Sequence, residues 1–546
     1  METIEIFGID ALSMLIIAPA ISALIVAALP ANKLLARWLS LAFAVMIGAL
    51  AVVIFFGYDR AQDAEQYQFI VNVDWFGLLG SSWHLGVDGI SVTMILLTGI
   101  LVPLAILISW EIDDRVNMHL ALILFFETGL MGVFAAKDLM IFFLFYELSL
   151  VPIYFLIDQW GGKNRKYAST KFMLYSVGGT LGMLLATQLI GWSMAFTDFG
   201  ARSFDIEAIT QYWPQLLDGQ VFLGVDASTV KALAFIGYFV AFCIKVPVWP
   251  FHTWLPDAHG EAPTAGSMLL AGVMLKLGAY GFIRLVVPFF PSVWISEIQF
   301  LNLGVTVAGV FAFLAMLGIV LGAFAALGQN DIKRLVAYSS VNHMGFVALG
   351  TAVMAVIYGK AWEAATLATG GGATGAELQS AILAANGAVI QMFNHGLSSA
   401  GMFLLAGAIY HKTHTRDLTE YGGLWVKAPI YGGVFIFTSM ASLGLPGLNG
   451  FVGEFLVVRG AWPIFTWLTV ISMVGLLFTG SYILKGIRAT LHGPFNLKWR
   501  DYNLEIELRE FIAIAPLMVL MLVTGVYPNW ILPIINMSVT RIMSGF

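Results

Sequence analysis

Several ionisable side chains lie in stretches of sequence that are otherwise apolar. The set contains carboxylates, amines and imidazoles: Glu127, Glu147, Lys245, Lys276, His343, His395 and Glu454. A charge at the centre of a bilayer costs about 3 kcal/mol, so such side chains face the protein interior and usually mark the path of an ion or a substrate. All three groups can take up and release a proton when their surroundings tune them. The chemistry that these residues suggest is proton transfer at membrane depth.

Each of these residues also has a structural interpretation. Glu147 and Lys245 could form a buried ion pair that only fixes helix packing, although such a pair is weak evidence for stability. Lys276 could snorkel to the membrane surface, which its position in the middle of a span disfavours. His343 and His395 fit a neutral core histidine as well as they fit a proton carrier.

The remaining charges near apolar stretches give a weaker signal. For Glu127 the structural interpretation is as strong as the functional one. Glu111, Lys137 and Asp138 lie at predicted span ends, and we interpret them first as charges at the membrane interface.

The elements that must position these side chains are membrane-spanning helices. The chain is 59% hydrophobic and only 11% charged, and a helix needs about 20 apolar residues to cross a bilayer. About fourteen apolar stretches meet this requirement, which predicts an all-α polytopic membrane protein. The stretches are Leu12–Leu29, Leu34–Gly57, Gly89–Ser109, Met118–Ala136, Leu139–Ile157, Phe172–Phe196, Ala232–Trp249, Ala265–Val287, Leu303–Leu327, Leu335–Ile357, Ile382–Ile409, Ile430–Val458, Ile464–Leu484 and Phe511–Trp530.

The composition also excludes several classes of protein and site. The first ten residues, METIEIFGID, are acidic where a cleaved signal peptide would be basic, so the first stretch is expected to be a retained span. Cys243 is the single cysteine, and one cysteine cannot build a disulfide framework, a zinc site or an iron-sulfur cluster. No basic stripe with exposed aromatics indicates a nucleic-acid partner.

The distribution of basic residues predicts the orientation. If the N-terminus lies outside, the cytoplasmic loops hold roughly seventeen of the 27 Lys and Arg residues and the opposite loops about eight. Both termini are therefore expected on the non-cytoplasmic side. The length and the alternation of basic loops suit a bacterial plasma membrane.

A proline interrupts the span that carries the first buried lysine. In AFCIKVPVWPF, Ala241–Phe251, Pro247 follows Lys245 by two residues. Proline lacks an amide donor and clashes with the carbonyl four residues back, at Cys243, so the helix is expected to kink or unwind at Lys245. Freed backbone groups at membrane depth are tolerated only where protein or a water-filled cavity satisfies them. The break and the charge are thus expected to share a hydrated pocket.

The same arrangement recurs once. Pro446, followed by three glycines, precedes Glu454 in SLGLPGLNGFVGEF. The broken span is the fourth of five in each of two sets, and paired interruptions indicate an internally repeated transporter with an ion site at mid-depth. The predicted organisation is N-terminal helices in 1–110, a first repeat in 117–287, a second in 300–492 and a last helix in 493–546.

One long motif identifies a family. Lys245–Phe282, KVPVWPFHTWLPDAHGEAPTAGSMLLAGVMLKLGAYGF, resembles the signature of the antiporter-like membrane subunits of respiratory complex I. That family also includes subunits of multi-subunit cation/proton antiporters and of membrane-bound hydrogenases. The resemblance extends from VDGIS at Val87 to the segment Arg509–Pro528.

The second broken span narrows the resemblance to one branch. In the L and N subunits and in the cation antiporters this position carries a lysine. In FVGEF it is Glu454, and subunit M (chain 4) also has a glutamate there. AYSSVNHMGF, FNHGLSSAGMFLLAG and GGLWVKAPIYGG are also similar to subunit M. One departure from the family pattern is the stretch between Tyr358 and Gln379, which is longer than the loop that the family usually has before the eleventh span. It is interpreted as a glycine-rich surface loop.

The resemblance implies a fold and a set of roles. The fold would have fourteen helices with two inverted five-helix repeats, each with a broken helix. Glu147 and Lys245 would be a charge pair, Lys276 the central proton carrier, His343 and His395 connectors, and Glu454 the terminal carrier. NADH, FMN, iron-sulfur clusters and quinone would lie in other subunits, with the L and N subunits as neighbours and no cofactor in this chain.

Three other functions remain open from the sequence. A sodium/proton antiporter, either stand-alone or as a subunit of a multi-subunit Na⁺/H⁺ antiporter, is the nearest, and Glu454 in place of lysine is the feature against it. A subunit of a membrane-bound hydrogenase shares the membrane motifs and differs in its partners. A purely structural membrane scaffold would gain nothing from the insertion cost of the buried ionisable residues.

Overall fold

The computed structural model describes residues 5–6, 9–30, 32–61, 65–77, 80–216, 221–222, 224–300, 303–367 and 372–545, and helices dominate it. The helices are α1 Ala11–Ala28, α2 Lys33–Gly57, α3 Gly89–Ile108, α4 Val116–Ala135, α5 Leu139–Leu148, α6 Leu150–Trp160, α7 Arg165–Ser193, α8 Ile206–Tyr212, α9 Ala227–Lys245, α10 Trp254–Glu261, α11 Thr264–Phe289, α12 Pro291–Ile295, α13 Val307–Leu327, α14 Ile332–Leu367, α15 Gly375–Thr413, α16 Pro429–Leu443, α17 Asn449–Ala461, α18 Thr466–Leu491, α19 Leu508–Val526 and α20 Leu532–Ser544.

The prediction of an all-α polytopic membrane protein is confirmed. Within the described residues, 12 helices are long and apolar enough to cross a membrane. Of the other two predicted stretches, one is the 39-residue helix α15 and one is divided into α16 and α17. The arrangement is compatible with fourteen spans, and the inverted repeats stay a prediction.

Short strands appear between the helices, where the sequence predicts none. They pair as antiparallel hairpins, β1 Glu5–Ile6 with β2 Ile9–Asp10, β3 Gln68–Phe76 with β4 Ser81–Val87, β5 Val221–Phe222 with β6 Val225–Asp226, and β7 Glu297–Phe300 with β8 Leu303–Thr306. The last strand also shortens the predicted ninth span, because its helix begins only at Val307.

The start of α1 and the C-terminal part of α20 lie at the same end of the helix bundle. The Trp83 indole, in β4, donates to Ser13 Oγ near the start of α1 at 2.8 Å. Arg541, in α20, donates to the carbonyl of Glu65 at 3.0 Å, in the connection between α2 and β3. An even number of crossings between α1 and α20 places these two segments at the same end.

The connections after odd-numbered spans meet at the opposite end. The Ile332 amide, at the start of α14, donates to the carbonyl of Arg416 at 3.0 Å. Lys412, in the last turn of α15, forms an ion pair with Glu510 of α19 at 2.7 Å. The connections therefore alternate between the two ends as the hydropathy pattern predicts.

The helix α20 lies beyond the predicted spans and docks on α3. The Gly89 amide, at the first residue of α3, donates to Ser538 Oγ at 2.7 Å. Ile534 and Ile535 are buried on the same side of α20. The hydropathy pattern does not predict this helix, because its amphipathic segment is too short and too polar for a membrane span.

The prediction of a glycine-rich loop between Tyr358 and Gln379 is wrong at both ends. Helix α14 continues to Leu367 and α15 begins at Gly375, while residues 368–371 lie outside the described part of the chain. A capping box explains the start of α15, since Thr374 and Glu377 bond each other's amides. The hydrogen bonds from Thr374 and Lys360 lower the pKa of Glu377 to about 2.

Helices α11 and α15 cross in the interior at a pair of glycines. A Cβ atom at Gly396 would lie 2.6 Å from Leu97 Cδ2 and 2.8 Å from the carbonyl oxygen of Gly272. A side chain at this position would therefore collide with the neighbouring main chain. The two glycines allow α11 and α15 to approach closely, one turn from Lys276 and beside His395.

We expect Gly396→Ala to destabilise the protein by about 1–3 kcal/mol, the usual cost of inserting a methyl group into a packed interior. Gly433→Ala is the matched control, because a Cβ atom there meets nothing within 4 Å. In α16 that change should be neutral or stabilising by up to about 1 kcal/mol. Thermal unfolding of the detergent-solubilised protein measures both changes, and equal stabilities would contradict the close crossing.

Candidate functional site

The first buried lysine lies at the end of a broken helix. Helix α9 ends at Lys245 and α10 begins only at Trp254, which confirms the unwinding predicted from Pro247. The freed carbonyl of Ile244 accepts a hydrogen bond from the Trp254 indole at 2.9 Å. A side chain of the protein thus satisfies one backbone group that the break leaves without a helical partner.

Lys245 and Glu147 are near each other without forming a hydrogen bond. Lys245 is buried at 2% exposure, and its Nζ atom lies 4.6 Å from the centre of the Tyr146 ring, a cation–π contact. Neither Lys245 Nζ nor Glu147 Oε1 has a hydrogen-bond partner within the described chain. The predicted charge pair is therefore open in this structure, and its role stays a prediction.

Lys276 is held inside α11 by a local irregularity. The segment Leu270–Met274, directly before it, is a π-helical turn, a feature found frequently at functional sites. The Lys276 amine donates to the carbonyl of Ala271 and lies 2.8 Å from Nδ1 of His395. Gly278 brings α11 against α9, since a Cβ atom there would lie 2.8 Å from Lys245 Cβ.

His395 connects Lys276 to the second histidine. The rings of His395 and His343 have centroids 5.7 Å apart. Both rings are buried at 2% exposure. Nε2 of His395 has no hydrogen-bond partner among the described residues, so this nitrogen is available on the side of the ring that does not face Lys276.

His343 contacts Glu454 directly. Its Nδ1 atom lies 2.6 Å from Oε1 of Glu454, and Gln391 donates to the same oxygen at 3.1 Å. The other nitrogen of His343 lies 3.3 Å from Ser442 Oγ and 3.3 Å from the hydroxyl of Tyr482. The carboxylate and the imidazole thus share a small buried polar network.

Glu454 projects from the second broken helix. Helix α16 ends at Leu443 and α17 begins at Asn449, with Gly444 in the left-handed region at φ 85°. The start of α17 is tied to α15 by a reciprocal pair. Asn394 donates to the carbonyl of Asn449 at 2.7 Å, and Asn449 donates to the carbonyl of Asn394 at 3.0 Å.

The predicted site residues therefore fall into two groups. Lys276, His395, His343 and Glu454 form one series of neighbouring side chains that runs from α11 through α15 and α14 to α17. Glu147 and Lys245 lie beside the start of this series on α5 and α9. Neighbouring acids and bases inside an apolar bundle can pass a proton from one to the next.

Two residues that the sequence patterns do not single out also lie beside this series. His259 is fully buried, stacks on Phe403 at 4.7 Å and has no hydrogen-bond partner on either ring nitrogen within the described chain. It lies inside the family motif, which was the available signal. Gln391 precedes His395 by four residues, a helical spacing that places both on one face of α15.

The charges at span ends have local partners. Asp138 caps α5 by accepting from the Met140 and Ile141 amides. Burial raises the pKa of Asp138 against the effect of these hydrogen bonds. Lys137 forms an ion pair with Glu207 at 2.7 Å. Both contacts fit the interpretation of these residues as charges at the membrane interface.

A buried carboxylate and a buried ion pair lie outside the series. Glu127 is fully buried in α4, and neither of its carboxylate oxygens has a hydrogen-bond partner in the described residues. Arg284 and Asp88 are both buried and form an ion pair at 3.0 Å. Within the described residues, no group of three or more His, Cys, Asp or Glu side chains is placed to hold a metal ion.

The comparison with known proteins agrees with the fold and the motifs. A family model described as "NADH:quinone oxidoreductase/Mrp antiporter, TM" matches residues 136–368 and 374–479. NADH-quinone oxidoreductase subunit M of Pseudomonas aeruginosa is 39% identical, over 92% of this chain and 91% of the relative. The subunit M of Rhodobacter capsulatus is 36% identical, over 95% of this chain and 92% of the relative.

A solved structure shares the fold over the whole chain. A chain of "Respiratory complex I from Thermus thermophilus with bound NADH" superposes with a TM-score of 0.79 and 25% identity, covering 98% of this chain and 100% of that one. The likeness thus holds both in sequence and in fold. The chain belongs to the subunit M family of NADH-quinone oxidoreductases, the branch that Glu454 predicts.

Proposed function

We propose that this chain is a proton-translocating membrane subunit of an NADH:quinone oxidoreductase. Redox chemistry in other subunits would drive protons through linked half-channels in this one. The observation that carries the proposal is the series Lys276, His395, His343 and Glu454, in which each side chain lies beside the next inside an apolar bundle.

The two histidines are suited to relay protons within this series. A neutral imidazole accepts a proton at one ring nitrogen and donates from the other. His395 presents Nδ1 to Lys276, and His343 presents Nδ1 to Glu454. A proton released by Lys276 could therefore cross both rings and arrive at Glu454, which would pass it to the outer side.

The open pair of Glu147 and Lys245 suits an input gate. Two opposite charges about 4 Å apart attract by roughly 4 kcal/mol at an effective dielectric near 20. Closing the pair would favour the charged amine, and opening it would favour release of the proton toward Lys276. Motion of a charge in a neighbouring subunit would then control proton transfer here without any covalent step.

The partners and the setting follow from the same proposal. Other membrane subunits of the complex, with the L and N subunits as neighbours, would flank this chain, and NADH, FMN, iron-sulfur clusters and quinone would bind elsewhere. The repeats would be 117–287, with Lys276, and 300–492, with Glu454. A bacterial plasma membrane, with both termini on the non-cytoplasmic side, fits the distribution of basic residues.

The alternative is a subunit of a multi-subunit Na⁺/H⁺ antiporter or of a membrane-bound hydrogenase. The matching family description covers the antiporters as well. Glu454 and the similarity to relatives named subunit M favour the oxidoreductase. Purification with the subunits that carry FMN, iron-sulfur clusters and the quinone site would support this assignment, whereas purification with antiporter subunits alone would contradict it.

The gate predicts that Glu147→Ala and Lys245→Ala both depress NADH-driven quinone reduction and proton pumping, by about tenfold or more. Each change removes one charge of the pair and leaves the other without a switching partner. Lys163→Ala, at an exposed connection, is the control and should change neither rate. Inverted membrane vesicles report both rates, and wild-type rates in either gate variant would refute the assignment.

The end of the series gives a second prediction. Glu454→Gln should abolish most pumping, because an amide cannot take up the proton that His343 presents. Glu454→Lys should retain more of the pumping. The Lys276 amine already lies 2.8 Å from the His395 imidazole, and an amine at position 454 would face the His343 imidazole in the same way.

The control for both Glu454 variants is Glu297→Gln, which removes an exposed carboxylate in β7. All three variants are compared in vesicles by the pH gradient formed per NADH oxidised. Equal gradients for Glu454→Gln and Glu297→Gln would exclude Glu454 from the path.

A further inference from the structure

A basic cavity lies at one end of α18, away from the proton path. Its volume is about 680 Å³, and its lining includes Tyr421, Lys485, Arg488 and His492. Lys412, in the last turn of α15, belongs to the same end of the bundle through its ion pair with Glu510 of α19. No element of the proposed proton transfer reaches this cavity.

The cavity has positive charge without a matching carboxylate. Arg488 is exposed and has no ion-pair partner among the described residues. The amine of Lys485 donates to the carbonyls of Leu327 and Gln329 at 2.8 and 2.7 Å, which are neutral acceptors. None of the lining residues is acidic.

The nearest carboxylate in the sequence is already occupied. Glu420 precedes the lining residue Tyr421 and forms an ion pair with Lys498 at 2.5 Å. It is therefore engaged outside the cavity. The cavity is left as a compact site for an anion, and a planar guanidinium suits phosphate in particular.

The surface next to the cavity is apolar and faces outward. Leu484 is 57% exposed and Leu477 is 70% exposed. Together with Arg488 they follow the helical spacing of one face of α18, with the leucines toward the membrane centre. At the cavity, the ring of Trp425 stacks on His492 with centroids 6.4 Å apart, and tryptophan is enriched at the level of lipid headgroups.

From this juxtaposition we propose that the cavity binds the phosphate of an anionic phospholipid headgroup, with its acyl chains along Leu484 and Leu477. Arg488 binds the phosphate directly, and Lys485 contributes charge while it holds the end of α13. Free inorganic phosphate shares the headgroup chemistry but would make no use of the exposed leucines. Basic pockets beside membrane helices are suited to anionic lipids.

The test uses native mass spectrometry of the intact complex titrated separately with phosphatidylglycerol, phosphatidylcholine and inorganic phosphate. Arg488→Gln should weaken binding of one phosphatidylglycerol by about tenfold to a hundredfold, the effect of losing a charge-assisted hydrogen bond. Arg500→Gln removes the same charge from an exposed position outside the cavity and should leave binding unchanged. Arg488→Lys should keep most of the binding.

Each arm of the experiment decides the proposal. Loss of one tightly bound phosphatidylglycerol in Arg488→Gln alone supports it. Equal binding in Arg488→Gln and Arg500→Gln, equal retention of phosphatidylcholine, or equal affinity for inorganic phosphate would overturn it. A map of the intact complex with a segment of a neighbouring subunit in the cavity would also overturn it, because that segment would be the occupant.

Discussion

A charge inside an apolar membrane bundle is stabilised where other polar groups surround it, and this constraint organises the series from Lys276 to Glu454. The Lys276 amine has a backbone carbonyl and His395 as neighbours, and Glu454 has His343 and Gln391. A buried polar network is strong when each member is satisfied and costly when one is removed. The groups that make the charges tolerable are therefore the same groups that can exchange protons.

The breaks in the helices follow from the same constraint. Each break frees backbone groups, and the protein supplies partners for them. These are the Trp254 indole for the Ile244 carbonyl at the first break and the Leu445 amide for the Met440 carbonyl at the second. The result is a local opening in a span whose two parts remain helical. An ionisable side chain at such a point gains polar surroundings without loosening the whole bundle.

Much of this arrangement could be predicted from the sequence. Hydropathy locates the spans, and Pro247 and Pro446 locate the breaks, because both effects act over a few neighbouring residues. The separation of Lys245 from Glu147 and the position of His395 between Lys276 and His343 could not be predicted, because they depend on the rotation of each helix about its axis. Helix α20 and the hairpins were missed, since short amphipathic or extended segments leave little trace in hydropathy.

The reciprocal amide pair of Asn394 and Asn449 has a mechanical consequence. Both hydrogen bonds end on main-chain carbonyls, so α15 and α17 can separate at this point only if both bonds break. A tilt of the half-helix that bears Glu454 must then be transmitted to the adjoining turn of α15, where His395 sits. Any movement that opens the Glu454 carboxylate toward one side of the membrane would therefore also displace the turn of α15 that carries His395.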